Sequence, residues 1–125
     1  MKYIDTNVLV HLITNSPKHT VDTIEKVLAQ AAPSDVIITE GVLVETCTIL
    51  EFNTRFGLDR PLICTSLEAI FTRQAISLSA ELLTAFNLYR TNPKLDIVDC
   101  LLAVYGNSRA ENVLTFDKDL QKVLN

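Results

Sequence analysis

Glycine and proline are scarce in this chain, with 3 and 4 among 125 residues. That scarcity argues against an all-β architecture, which needs many tight turns. Cysteine is scarce too, and Cys47, Cys64 and Cys100 are scattered with no ligand-like spacing. An odd, unpatterned set fits reduced core thiols of a cytoplasmic protein and speaks against a disulfide framework or a zinc site. No apolar run approaches the roughly 20 residues of a membrane span. The early apolar run is short and interrupted by His11, unlike a signal peptide. A glycine-rich phosphate loop is also missing, which leaves P-loop and dinucleotide sites unsupported. What the chain has in quantity is core-forming side chains: 48% are hydrophobic and the mean hydropathy is +0.24. Such a chain folds, and its length suits one domain over residues 1–125 that buries about two thirds of its unfolded surface.

Acids outnumber bases, 15 Asp and Glu against 11 Lys and Arg, for a net charge of −4 and a pI near 5.0. Nucleic-acid binding usually shows a basic footprint, so the balance speaks against it on its face. The objection weakens if several acids surround a metal. Two divalent ions would cancel the whole deficit of −4, leaving peripheral Lys and Arg to meet phosphates.

The opening MKYIDTNVLVHLI reads as a strand over 2–4 and a helix over 6–13. Asn15-Ser16-Pro17 then stops that helix and starts a second over 17–31, with Val21, Ile24, Val27, Leu28 and Ala31 at helical spacing. After the turn Ala32-Pro33-Ser34-Asp35, the β-branched run Val36-Ile37-Ile38 suits a buried parallel strand. Thr39 is an N-cap candidate for a long helix ending near Gly57, in which Val42, Ile49 and Phe56 recur every seven residues. Asp59-Arg60-Pro61 restarts a helix to about residue 72, and a short strand follows over 75–77. Ser79 caps the helix of Leu82, Leu83, Phe86 and Tyr89. Asn92-Pro93-Lys94 breaks the chain before a helix over 96–107. Val113-Leu114-Thr115 reads as the last strand and 118–124 as the last helix. The alternation predicts an α/β fold with a central parallel sheet of four or five strands, covered on both faces by about seven helices.

In such sheets ligands gather outside the carboxyl ends of the strands. Asp5 lies just past the first strand and Asp117 just past the last. Glu45 belongs to the first turns of the helix after Val36-Ile37-Ile38. Asp99 lies in the first turn of the helix starting near Asp96, and the three-residue spacing puts both on one face. Carboxylates crowded this way repel by about 4 kcal/mol per pair at 4 Å and an effective dielectric of 20. Either some stay protonated, or a cation occupies the centre. All-oxygen ligands favour Mg²⁺ or Mn²⁺ over zinc, and such ions activate water and stabilise phosphoryl transition states. Thr6, Asn7 and Thr115 are donors able to orient these carboxylates.

Taken singly, each acid also has an ordinary explanation. Asp5, Asp96 and Asp117 suit N-caps, Asp99 suits the positive end of its helix, and Glu45 suits a solvated face. His11 and His19 have no serine or cysteine partner in view and read as surface or packing residues. Phe52, Phe56, Phe71 and Phe86 read as core. Lys18, Arg55, Lys94 and Lys118 are candidate contacts to phosphates.

IDTNVLV, LVETCTIL, LDIVDCLLA and VLTFDKDL, in that order and across nearly the whole chain, resemble a PIN-domain ribonuclease. Within that family the chain is most similar to the VapC type, the toxin half of toxin–antitoxin pairs. The resemblance implies a PIN-like three-layer sandwich. It implies Asp5, Glu45, Asp99 and Asp117 as the acids that hold one or two Mg²⁺ or Mn²⁺ ions, with Asp96 as an additional acid and Thr6, Asn7 and Thr115 as supports. It further implies hydrolysis of RNA, a homodimer, and inhibition by a small antitoxin protein. Cys100 stands where alanine is common beside the third acid. PIN domains also serve in RNA processing, and a module that keeps the pocket without turnover is a further alternative. A phosphatase using Asp5 as a covalent nucleophile is disfavoured, because position 7 is Asn rather than a second Asp and Asp5 has no adjacent acid.

Overall fold

Backbone pairing begins at the first residues. In the computed structural model, which describes residues 1–125, β1 (Lys2–Tyr3) lies parallel to β2 (Val36–Ile37), and β2 lies parallel to β3 (Ile76–Ser77). The order is β1-β2-β3, with Lys2 opposite Val36 and Val36 opposite Ile76. Ile4 N–H donates to the Ile37 carbonyl and Ile38 N–H to the Ser77 carbonyl, so the ladder runs on past the formal strands. The chain divides into two compact units, Met1–Leu78 and Ser79–Asn125.

The first unit holds the sheet and four helices: α1 (Thr6–Thr14), α2 (Lys18–Gln30), α3 (Glu40–Phe52) and α4 (Arg60–Phe71). Its core includes Leu9, Leu43, Leu50, Ile63 and Leu67, all fully buried. Helix starts follow the capping letters at α1 and α4, whereas Pro17 before α2 and Thr39 before α3 make no side-chain capping bond. Asp59 accepts a hydrogen bond from Leu62 N–H at 3.0 Å, and Pro61, which lacks an N–H, occupies the first turn, where that donor has no helical partner. Helix α1 ends at Asn15, which takes the left-handed conformation at φ 52°. His11 Nδ1 lies 2.8 Å from the Ser16 carbonyl, close to the helix end, in keeping with a packing role.

Helix α3 stops before the expected end near Gly57. The Phe56 and Gly57 N–H groups both turn back to the Asn53 carbonyl, Leu58 N–H reaches Leu50, and Gly57 takes φ +50°. A positive φ is where glycine is least strained, so the glycine closes the turn beyond the helix rather than the helix itself. Phe52, expected in the core, is the last residue of α3 and is 63% exposed, whereas Phe86 is buried.

The second unit is helical: α5 (Ala80–Thr91), α6 (Ile97–Tyr105) and α7 (Lys118–Val123), with a 3-10 turn at Ala110–Asn112. Ser79 caps α5 by accepting from Leu82 N–H at 3.2 Å. Helix α5 packs along α6, and α6 contacts α7. The fold class is therefore α/β with a parallel sheet and seven α-helices, as the sequence predicts. The sheet has three strands, not four or five. Val113-Leu114-Thr115, read as the last strand, joins no ladder, and Leu114 is 94% exposed. Strand propensity is a fit to a half-buried pleated surface, and a segment without a pairing partner does not realise it.

Candidate functional site

The junctions between strands or loops and helices carry most of the acids singled out above. In the first unit, Asp5 follows β1 and is the N-cap of α1, its Oδ1 accepting from Thr6 N–H at 2.7 Å. Thr6 is buried, while Asn7 is exposed on the first helical turn. Glu45 lies in the second turn of α3, exposed, after β2 and the Thr39 cap position. Helices α1 and α3 pack together, so Asp5 and Glu45 are carried by elements in contact. Beside Glu45, the fully buried Thr46 donates its hydroxyl to the Val42 carbonyl at 2.7 Å.

The second unit holds Asp96, Asp99 and Asp117. Asp96 and Asp99 form a reciprocal capping box at the start of α6. Asp96 Oδ1 accepts from Asp99 N–H at 2.8 Å, and Asp99 Oδ2 accepts from Asp96 N–H at 3.3 Å. Asp117 caps α7, its Oδ1 accepting from Leu120 N–H at 3.0 Å. Thr115 steadies that cap from both sides. Its hydroxyl accepts from Asp117 N–H at 3.1 Å, and its carbonyl accepts from Gln121 Nε2 at 2.9 Å.

Electrostatics single out one member of this group. Burial pushes the Asp99 carboxyl above the ordinary Asp range. The Asp96 backbone hydrogen bond pulls it back, and the charges of Asp96 and Asp117 push it up again. Removing water from a carboxylate and facing it with like charges both favour the protonated form, or a cation in its place. The three acids of this unit are therefore close enough to interact.

Capping and metal ligation do not compete here. Each capping bond engages one of a carboxylate's two oxygens, and an ionised carboxylate accepts about four hydrogen bonds in all. The capping explanations for Asp5, Asp96 and Asp117 are correct as geometry, Asp99 joins them through the reciprocal box, and these bonds fix where the carboxylates stand. An all-oxygen donor set of this kind suits a hard divalent cation. Within neither unit do three or more His, Cys, Asp or Glu side chains form a group able to hold a metal ion by themselves.

A family model described as PIN domain matches residues 2–124. The chain belongs to the PIN domain family. Comparison with curated proteins and with solved structures finds no match. PIN domains are typically nucleases, which supports hydrolysis as the reaction class, and PIN nucleases generally use divalent metal ions. A PIN nuclease suggests RNA as the substrate. No helix is long and apolar enough to cross a membrane.

The basic residues named from the sequence have different surroundings. Lys18 pairs with Asp22 at 3.5 Å, and the Arg55 guanidinium stands over the Phe56 ring at 5.6 Å. Lys94 lines a groove in the second unit together with Asp119 and Lys122, two residues to which sequence reasoning gave no ligand-binding role. Their three-residue spacing on α7, which sets them on one face, was the available signal.

Proposed function

We propose that this PIN domain is a Mg²⁺- or Mn²⁺-dependent endoribonuclease, working as one domain over residues 1–125, and that it is the toxin of a type II toxin–antitoxin pair. Asp5, Glu45, Asp99 and Asp117 would hold one or two ions, with Asp96 assisting. The bound metal would supply an activated water and charge stabilisation for hydrolysis of an RNA phosphodiester. The observation that carries the reading is the PIN-domain match over residues 2–124, together with the reciprocal capping box that sets the Asp96 and Asp99 carboxylates side by side. A carboxyl that burial and two like-charged neighbours push toward protonation is costly to keep ionised, and a divalent cation removes that cost.

The chain's own residues have separable tasks in this reading. Thr115 fixes the backbone at Asp117, and the Asp96 carboxylate fixes the first turn that carries Asp99. Thr6 N–H holds one oxygen of Asp5, and the neighbouring Asn7 is exposed on the same turn. Removing supporting groups of this kind changes metal affinity or activity by about 10–100-fold. The three buried cysteines, none in a disulfide, suit a cytoplasmic enzyme. The toxin assignment, the homodimer and the antitoxin partner rest on the order and extent of the four motifs.

The deciding experiment incubates the purified protein with structured and unstructured RNAs in Mg²⁺, Mn²⁺ or EDTA. Cleavage in either metal, none in EDTA, and none by Asp5→Asn with its fold retained is the expected pattern. Turnover by Asp5→Asn at the wild-type rate sinks the assignment. RNA binding with no cleavage in any metal makes the chain a binding module instead. A small open reading frame immediately upstream supports the toxin reading, and its absence points to an RNA-processing nuclease.

A further inference from the structure

In the second unit, the loop after α5 and one face of α7 enclose a groove of about 270 Å³, lined by Thr91, Asn92, Lys94, Asp119 and Lys122 among others. Its lining residues are close in sequence to the acids. Lys94 precedes the α6 cap Asp96 by two residues, and Asp119 and Lys122 follow the α7 cap Asp117 on the same helix. No ion pair ties up either lysine. The lining thus includes two lysines, whose ammonium groups only donate, and one aspartate, whose carboxylate only accepts when ionised.

That combination narrows the ligand. Two cations beside one anion suit a group that is negative at one end and a hydrogen-bond donor at the other. A phosphodiester supplies the charge, and the ribose 2′-hydroxyl supplies the donor; a DNA strand has the first without the second. At about 270 Å³ the groove lies at the small end of ligand sites, a size that suits one backbone unit.

We propose that this groove seats one ribose-phosphate unit of an RNA strand, with Lys94 and Lys122 at the phosphate and Asp119 accepting from the 2′-hydroxyl, and that it selects RNA over DNA. The proposal deepens the ribonuclease reading and rests on it for the class of ligand. Asp119 carries the selectivity. Its charge weakens phosphate binding in either strand, and only RNA compensates by donating a hydrogen bond.

Fluorescence anisotropy on the full chain tests this, using a fluorescein-labelled oligouridylate of about 12 nucleotides and its oligothymidylate counterpart. Ca²⁺ replaces Mg²⁺, and gels confirm that the probe stays intact. Lys94→Glu with Lys122→Glu should weaken both strands about tenfold or more and flatten the dependence of log Kd on log salt by about 0.7 for each phosphate that is no longer neutralised. The milder Lys94→Ala with Lys122→Ala should flatten it likewise, and circular dichroism checks both folds. Asp119→Asn should tighten DNA and narrow the RNA-to-DNA ratio. Unchanged affinity and salt slope in both lysine variants overturns the proposal, as does an unchanged ratio in Asp119→Asn or a wild type that does not prefer RNA. Displacement of the probe by equimolar inorganic phosphate also overturns it. Wild type that binds RNA through these lysines yet cleaves none in any metal supports the groove and defeats the nuclease reading. Cleavage indifferent to all three substitutions does the reverse.

Discussion

Val36-Ile37-Ile38 and Val113-Leu114-Thr115 look alike as letters, since each is a short apolar run leading to a helix N-cap. Their fates differ. Val36-Ile37-Ile38 enters the middle of the sheet, with β1 on one side and β3 on the other, and Val36 and Ile38 are 4% and 1% exposed. Val113-Leu114-Thr115 is bounded by a 3-10 turn and the Asp117 cap, joins no ladder, and leaves Leu114 and Phe116 exposed. Cross-strand pairing and burial, more than residue type, decide whether such a run becomes a strand.

The sharpest way to break that comparison is to truncate each run in turn. Ile38→Ala removes a fully buried side chain and should destabilise by about 2–5 kcal/mol in urea unfolding. Leu114→Ser should fall within about 0.5 kcal/mol of wild type. A large loss at Leu114 would mean that this segment is buried in solution, and the contrast would fail.

A smaller effect extends the comparison from apolar side chains to charge. Asp99 has a raised pKa in the folded state. The native protein then binds the proton more tightly than the unfolded chain, so stability falls as pH rises from the ordinary Asp value through the raised one. In EDTA, Asp99→Asn should lose that fall while keeping an oxygen for the capping box, and at neutral pH it should be at least as stable as wild type. Urea titrations across the acid range read the difference, and added Mg²⁺ should stabilise wild type more than the variant. A wild type that gains stability over the same rise, with the variant unchanged, would remove the desolvation argument.

The smallest expected effect concerns a more open site in the first unit. Glu25 and Arg73 form a two-point ion pair, with Arg73 Nη1 and Nη2 at 2.9 and 2.6 Å from the carboxylate, and the hydrogen bond to Arg73 lowers the Glu25 pKa. Its contribution is present above the ordinary Glu value and fades as pH falls through the lowered one. Both side chains are partly exposed, 45% and 32%, so Glu25→Gln should cost only about 0.2–1 kcal/mol, and less in molar salt. A cost above that range would show that the pair works as a buried one.

Helix starts were readable because capping chemistry is local. Asp59, Ser79, Asp96 and Asp117 announce them, and each side chain makes the expected bond to a backbone N–H. The end of α3 was not readable. The seven-residue recurrence of Val42, Ile49 and Phe56 runs past Asn53, where the backbone turns back on itself. The Asp96–Asp99 box escaped notice because its usual form has Glu or Gln at the third helical position, and Asp99 does the same work with a shorter side chain. At the site, the placement of Asp5 just past the first strand was legible in sequence, whereas Asp117, expected past a last strand, follows a segment that joins no ladder. The desolvation of Asp99 was not legible, since burial comes from tertiary packing that no local run of letters specifies.

Helix capping asks only for an oxygen, which asparagine also carries. At Asp5, Asp96, Asp99 and Asp117, a single base change in the codon turns the acid into its amide with the helix start intact. If those acids hold the metal, this chain lies one mutation away, at any of several positions, from an inert decoy that keeps its shape and still occupies whatever the active form would bind.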